Sequence, residues 1–382
     1  VVVVVSDVTP DSDTASLESL SFQRAALARG SAEEMQKLFP EGFFFAHALR
    51  GLSWTNLAHT GDVAAASVRR ESAEALDHLG APSGVAPFSA PLRPPFGVFY
   101  QGWRLLLEAE HAAFDTTPQA RALLLQHAEP LAVAFRERLE AGSPFLESYP
   151  GQAWPVDSVV AVAALRRVGQ VTGVSHDALI QKWLEGVGGR LDSRTGLIPH
   201  RVDPVTGEPI EGARGSSQSI IQRYWPMVDP EHAAESYRRF RERFVRARFG
   251  FVGVQEYPDG VTGAGDVDSG PLIFGLTLSG SAVTIGAARA NGDLRLSRSI
   301  LHELDVIGLP VSWNGERRYL FGLMPIGDAF ATWARSTPTT NGADYPALLA
   351  WWPAYLLAPW AGVALAWRRV RFAHAKSFLG QT

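Results

Sequence analysis

Cysteine is absent from all 382 residues. Without thiols there is no disulfide scaffold, no Cys-ligated zinc or iron–sulfur site, and no thiol nucleophile. The absence leaves the compartment open. Charge is also scarce, with 35 Lys+Arg against 39 Asp+Glu, a formal net charge of −4, and only 19% charged residues. A charge near neutral argues against nucleic acid as the main partner, which would want a basic face. There is no GxSxG elbow, no Walker loop, no HExxH, and no GxGxxG at a strand–helix junction. The commonest hydrolase, nucleotidase, zinc-protease and dinucleotide-binding classes go with them. No cofactor and no metal centre are expected.

What is abundant is apolar surface, at 46% of residues, and it is unevenly spread. From Tyr345 to Trp367 no residue is charged. A run of about 20 apolar residues spans a bilayer core. Trp351, Trp352, Tyr355, Trp360 and Trp367 are the aromatics that interfaces favour, and Arg368, Arg369, Arg371 and Lys376 follow at once. The segment reads as a transmembrane helix with its basic tail, 368–382, in the cytoplasm, which puts the rest of the chain outside the cytoplasm at the cell membrane. The competing reading is a closing helix of the globular domain. The opening VVVVVSDVTPDSD reads as a leader over 1–14, the tail of a longer apolar segment.

Between these ends, over 15–340, helical periodicity dominates and no internal linker is visible. Helices are expected over 31–38, 41–58, 63–79, 96–113, 117–142, 155–172, 175–187, 213–226, 230–247, 268–291, 294–307 and 325–336. Short strands are expected at Phe251–Glu256 and Arg318–Phe321. The helices are of two kinds. Those at 63–79, 117–142, 175–187, 230–247 and 294–307 carry a charged face. Those at 41–58, 96–103, 155–165, 215–222 and 268–288 are almost uncharged. A helix apolar all round is buried, and one with a charged face lies outside. The two kinds alternate along the chain. That pattern predicts an all-α fold, an (α/α)6 barrel in which inner and outer helices form a ring around a central cavity. A solenoid of paired helices is the alternative, but no fixed-period repeat is present.

Three unusual loops each run into an inner helix. The first holds Trp154 and Asp157. The second holds His200, Arg201, Arg214, Ser216 and Ser217. The third holds Glu256, Tyr257, Asp259, Asp266 and Asp268. In a ring the inner helices run parallel, so their starts open on one face and the three loops converge there. The third loop carries four carboxylates with four glycines. Paired carboxylates in a concave site divide acid and base roles, because burial and like charge push their pKa values apart. Glycoside hydrolysis uses such a pair. Asp266 and Asp268 can equally cap a helix starting near Gly270, and Asp157 can cap its own helix. Glu256 precedes Tyr-Pro with no evident helix to cap. A calcium loop is a further reading of the Asp-x-Asp spacing, although the EF-hand spacing is not met. Phe43, Phe44, Phe45, His47, Trp54, Phe96, Phe99, Tyr100 and Trp103 lie on inner helices. They form either a pocket floor or, more simply at helical spacing, core.

From PVDSVVAVAALRRVGQVTGVSHDALIQKWLEGVGGRLDSRTGLIPHRVDPVTGEP through GSSQSIIQRYWPMVDPEHAAESYRRFRERFV the chain resembles the bacterial linalool dehydratase/isomerase family. The Gly-Val-Ser-His-Asp turn, Trp183, Asp192…Gly196, Pro204…Gly207 and Asp229-Pro230 carry the resemblance, over roughly residues 40–290. It implies an (α/α)6 barrel, and cofactor-free removal or migration of water on a monoterpene alcohol. That chemistry leans on pocket cysteines. Val156 stands where one is expected, and an aromatic around Phe96–Tyr100 replaces a pocket histidine.

The primary expectation is therefore a membrane-anchored enzyme acting on a glycan or glycolipid, of glycoside hydrolase or lyase type. Glu256 with Asp266 or Asp268 would be the acid/base pair. Asp157 and Arg214 would position substrate, with Tyr257, Trp154, His200, Arg201, Tyr100 and Trp103 as further contacts. A hydro-lyase or isomerase on a terpenoid or lipid alcohol is the alternative, and a non-catalytic tethered binding protein the third. A deep aromatic pocket would favour the second, and an open groove lined by carboxylates the first.

Overall fold

The computed structural model describes residues 13–61, 63–340 and 345. Fourteen helices lie among them: α1 (Asp13–Leu27), α2 (Ser31–Leu38), α3 (Gly42–Thr60), α4 (Ala65–Gly80), α5 (Pro82–Val85), α6 (Gly97–Phe114), α7 (Pro118–Glu140), α8 (Pro155–Thr172), α9 (Asp177–Gly188), α10 (Gly215–Val228), α11 (Ala233–Phe244), α12 (Leu278–Ala290), α13 (Leu294–Gly308) and α14 (Pro325–Arg335). Six of them close a ring: α3 packs on α6, α6 on α8, α8 on α10, α10 on α12, α12 on α14, and α14 back on α3. Outside it, α4, α7, α9, α11, α13 and α1 each lean on one or two inner helices. This is the alternating inner–outer arrangement expected of an α/α barrel.

The sequence chemistry sorts the two layers. In α8 every residue from Pro155 to Leu165 is buried, as a helix without a charged face must be. In α11 only Ala233, Tyr237, Phe240 and Phe244 are buried, one stripe at helical spacing, and arginines and glutamates cover the rest. Inner helices approach closely where side chains vanish. A Cβ added at Gly102 of α6 would lie 3.0 Å from the Ala161 Cβ and 3.1 Å from its backbone in α8. Gly102→Val is expected to wedge these helices apart and lower stability by about 1–3 kcal/mol, read as a lower denaturation midpoint. An unchanged midpoint would mean that the ring yields freely at this contact.

The inner helices end together at the base. Asn56 of α3 donates to Ser336 beyond α14 at 3.2 Å, and Asn291 beyond α12 donates to the Gln222 carbonyl of α10 at 2.8 Å. Arg223 of α10 is buried there, 3.8 Å above the Trp333 ring. It donates to the Trp333 carbonyl at 3.1 Å and to Thr337 Oγ1. Burial lowers its pKa to about 10, so it stays charged, and the negative ends of the helices hold it. Near the outer wall, buried Glu71 of α4 is clasped by Arg24 of α1, Arg50 of α3 and Arg70 of α4. That cluster ties three helices together.

The strands are short. β1 (Arg201–Val202) and β2 (Pro209–Glu211) form a hairpin between α9 and α10. β3 (Val245–Arg248), β4 (Phe251–Gln255), β5 (Leu272–Ile273) and β6 (Leu276–Thr277) form one antiparallel sheet in the order β3-β4-β6-β5. β7 (Val311–Trp313) and β8 (Glu316–Arg318) pair before α14. Three local expectations are corrected. The stretch 268–291 is not one helix: Phe274 and Gly275 take φ of 53° and 82°, a turn that splits β5 from β6, and α12 starts only after Thr277 caps it through Gly280 N at 3.0 Å. β8 ends at Arg318, because Leu320 and Phe321 adopt left-handed backbone that no strand can contain. Helix α1 escaped the periodicity reading altogether. Its buried residues mix Ser16, Ser19 and Gln23 with Leu20, Phe22 and Ala26, and its burial comes from packing on α14 and β8.

Among the described residues no helix is long and apolar enough to cross a membrane. The segment 345–367 lies outside them apart from Tyr345, whose ring sits 5.2 Å from that of Tyr237 on α11. The leader 1–14 and the tail 368–382 also fall outside, except for the first residues of α1.

Candidate active site

All three loops meet at the opposite face, where the inner helices start. The second and third are joined by Arg214, the residue before α10. Its Nε donates to Glu256 Oε1 at 2.6 Å, and its Nη2 to Asp266 Oδ2 at 2.6 Å. Its guanidinium lies 5.1 Å from the Tyr257 ring centre. Glu256 is fully buried. It also accepts from Ser216 N at 3.0 Å and Ser216 Oγ at 2.8 Å, so it caps α10 from a distance of 40 residues in the chain. The expectation that Glu256 has no helix to cap is thereby corrected. Burial lifts its pKa, against the pull of Arg214 and Ser216. Three donors converge on its two oxygens, an arrangement that satisfies the ionised form. Gly215 lets this happen: a Cβ there would meet the Gln255 carbonyl oxygen at 2.2 Å.

Asp266 is equally committed. Its Oδ1 accepts from Ser269 N at 2.9 Å, and Ser269 Oγ accepts from Asp266 N at 2.8 Å. Burial opposes ionisation, but the Ser269 and Arg214 bonds prevail and hold the pKa below the usual range. Tyr257 donates to the Ala264 carbonyl at 2.9 Å and braces the same loop. Asp259 points elsewhere, to Arg246 at 2.8 Å.

His200 and Ser217 look like a hydrolase dyad, with Nδ1 and Oγ 2.6 Å apart. The tautomer forbids it. Arg214 Nη1 lies 3.3 Å from His200 Nε2, and arginine only donates, so Nε2 accepts and Nδ1 carries the proton. His200 then donates to Ser217 and cannot take its proton. Burial and the Arg214 charge lower the His200 pKa to about 3, which keeps the ring neutral. Arg201 pairs across the hairpin with Glu211 at 2.8 Å.

The remaining carboxylates form a different group. Asp157 stands in the first turn of α8 behind Pro155, buried at 6% exposure. Its Oδ2 accepts from Ser148 Oγ at 2.5 Å. Its other oxygen takes no hydrogen bond among the described residues. The neighbouring residue, Tyr149, donates its hydroxyl to Glu41, which precedes α3. Glu41, Tyr149, Ser148 and Asp157 thus form one connected chain across the starts of two inner helices. Asp268 faces them from the third loop, and its carboxylate makes no hydrogen bond or ion pair among the described residues. Burial raises Asp157 first, Asp268 and Glu41 add their repulsion, and the Ser148 hydroxyl only partly offsets them, giving about 8. Asp268 is an exposed residue whose carboxylate is nonetheless crowded by the surrounding protein. That desolvation, with the charges of Asp266 and Glu41, lifts it to about 6. Tyr149 is raised as well, by burial and then by Glu41.

The aromatic residues divide similarly. Tyr100 and Trp103 are both 1% exposed and belong to the core rather than to the mouth. Tyr100 donates to the Leu79 carbonyl at 3.2 Å. Trp103 packs on Phe45, Trp333 and Tyr224 with ring centres 5.4, 5.5 and 5.9 Å away. Phe45 also meets Phe99 and Phe330, both at 5.2 Å. These rings fill the lumen below the carboxylates, where a deep terpenoid pocket would need space. Trp154 is half-buried at the mouth, edge-on to Tyr149 at 5.7 Å. His47 points the other way, stacked on His78 at 4.0 Å in a cavity of about 400 Å³ between α1, α3 and α4. A second cavity, of about 410 Å³, lies between α7 and α9. Neither touches the carboxylates. Among the described residues no three acidic or histidine side chains are grouped to hold a metal ion.

Glu41, Ser148 and Tyr149 were not singled out by the sequence. Glu41 carries the same signal as Asp157, a carboxylate at the start of an inner helix, and is followed by the aromatic run Phe43, Phe44 and Phe45.

No family model matches the chain, and no curated protein matches it. Among solved structures it is similar to a family 76 glycoside hydrolase from a bovine Bacteroides thetaiotaomicron strain, at 10% identity and a TM-score of 0.43, covering 76% of this chain and 68% of that one. A likeness so distant carries no argument about activity.

Proposed function

We propose that the chain is an enzyme that cleaves glycans by carboxylate acid/base chemistry at the mouth of the ring. Asp157 is the general acid and Asp268 the partner carboxylate, with Trp154 and Tyr149 offering rings against which a sugar can stack. What supports this is the pair itself: a buried acid bonded to Ser148, its pKa pushed up to about 8, and a carboxylate with no partner among the described residues. Environments that push two carboxyl groups apart in this way assign the acid and base roles. Glu256, expected on sequence grounds to pair with Asp266 or Asp268, serves here with Asp266 and Arg214 to hold the third loop in place. The open, acid-lined mouth over a filled lumen favours a polar, chain-like substrate over a buried terpenoid. The membrane anchor at 345–367 and a position outside the cytoplasm belong to the same reading and rest on the sequence alone.

The pH dependence follows with a definite sign. Asp157 must be protonated, so activity falls as pH rises through about 8. Asp268 must be ionised, so activity falls as pH drops through about 6. The release of reducing ends from a glycan panel should therefore give a bell-shaped kcat/KM between these limits, reported by the coupled pair rather than by either residue alone. A monotonic profile across that window would remove the pair from the mechanism.

A further inference from the structure

Ser148 is fully buried in the loop that joins α7 to α8. Its loop is seated on the start of α6, where Val98 N donates to the Glu147 carbonyl at 2.9 Å. Gly97, at a φ of 83°, makes that seat possible, because a Cβ there would meet the Ser148 carbonyl oxygen at 2.3 Å. The Ser148 amide donates to the Gln152 carbonyl at 2.9 Å. Leu146 N donates to Ser158 Oγ of α8 at 3.2 Å. The loop thus fixes the Ser148 hydroxyl against α8, 2.5 Å from Asp157 Oδ2.

The direction of that bond follows from counting protons. A hydroxyl has one to give. Trp154 N donates to Ser148 Oγ at 3.5 Å, and Asp157 Oδ2 is the one acceptor that Ser148 Oγ donates to at the mouth. If the acid's proton sat on Oδ2, the serine proton would be buried without an acceptor, which is costly. Ser148 therefore donates, and the protonated Asp157 carries its proton on Oδ1, which takes no hydrogen bond among the described residues. An acid proton with no internal acceptor is the form that a general acid needs. Resting on the glycan reading above, we infer that Ser148 is a positioning residue for the reaction, holding Asp157 so that the proton on Oδ1 is delivered to the glycosidic oxygen. The same bond favours the ionised form, because a carboxylate accepts more strongly than a carboxylic acid. The other titratable groups that act on Asp157 are Glu41, Tyr149 and Asp268. Substituting Ser148 leaves all three in place.

Ser148→Ala in the full chain tests this by two readouts, reducing-end release and titration of the Asp157 carboxyl by NMR. Loss of the signal in Asp157→Asn assigns it. Ser148→Ala should lower kcat roughly 10–100-fold, as a loosely held acid does. The basic limb of kcat/KM and the carboxyl titration should both move up by about one pH unit, since the ionised form loses its donor. Ser148→Thr, which keeps the hydroxyl, should restore both. If Ser148→Ala does not fold, Ser148→Cys carries the test, its weaker donor moving both in the same direction by less. A fall in kcat with the limb and the titration unmoved would make Ser148 merely structural and overturn the inference. Glycan cleavage with kcat and limb both unchanged also sinks it, and leaves the glycan reading standing. If no glycan is cleaved but the titration moves as expected, the glycan reading falls while the placement of the proton by Ser148 stands.

Discussion

Asp157→Asn is expected to lower kcat by roughly two to four orders of magnitude, the usual contribution of a positioned general acid, without loss of the fold. The reasoning is local. Asn has the same shape, and its side-chain oxygen can still accept from the Ser148 hydroxyl, which now reaches Asp157 Oδ2 at 2.5 Å. The buried acid is itself a burden on the folded state above the usual carboxylate range. The unfolded chain ionises there, while the folded chain holds the proton up to about 8. Removing the acid should therefore leave stability equal or slightly higher. Thermal denaturation and reducing-end assays on the same preparation separate the two effects. Asp268→Asn should show a loss of the same order. The double variant should be little worse than either single one, because groups that act as a unit are not additive. Wild-type turnover in Asp157→Asn would end its assignment as the acid.

The second large effect is on stability. Arg214→Met should cost about 3–5 kcal/mol, because it strands Glu256 as a buried, unpaired charge. Asp266 would lose its anchor at the same time, and the loop from Tyr257 to Gly275 would lose the cation under the Tyr257 ring. Activity should fall too, through displacement of Asp268, although Arg214 touches no reacting atom. Denaturant midpoints check the first claim, and faster hydrogen exchange confined to 257–275 checks the second. Glu256→Gln added to Arg214→Met should recover part of the loss, since it removes the stranded charge. Glu256→Gln alone then discriminates between two roles. A loss of stability with turnover preserved in the folded fraction fits the clamp described here. A full loss of turnover at normal stability would return Glu256 to the chemistry.

The ring was legible in the sequence because its cause is local. A helix such as α8, uncharged over 155–165, has nowhere to go but inside, and the striped helices α4, α11 and α13 must lie outside. Alternation of the two along the chain leaves few arrangements. The glycine-rich loops before α8, α10 and α12 were visible for the same kind of reason, since they interrupt strong periodicity with polar residues at the start of apolar helices. Helix α1 was not legible, because its burial depends on α14 and β8, some 300 residues away in the chain.

By its composition and periodicity alone, then, the sequence determined a mostly helical ring, the polar loops that open its inner helices, and a chemistry without thiols. Which carboxylates are tied up in bonds and ion pairs was decided only by the tertiary structure. Glu256, Asp266, Asp268 and Asp157 are equivalent as letters. They separate because Arg214, far from Glu256 in sequence, consumes two of them, whereas Ser148, Tyr149 and Glu41 gather around the third and leave the fourth free. Burial and charge are sums over neighbours in space, and a pKa near 8 on one aspartate and near 6 on another exists only once those neighbours are in place.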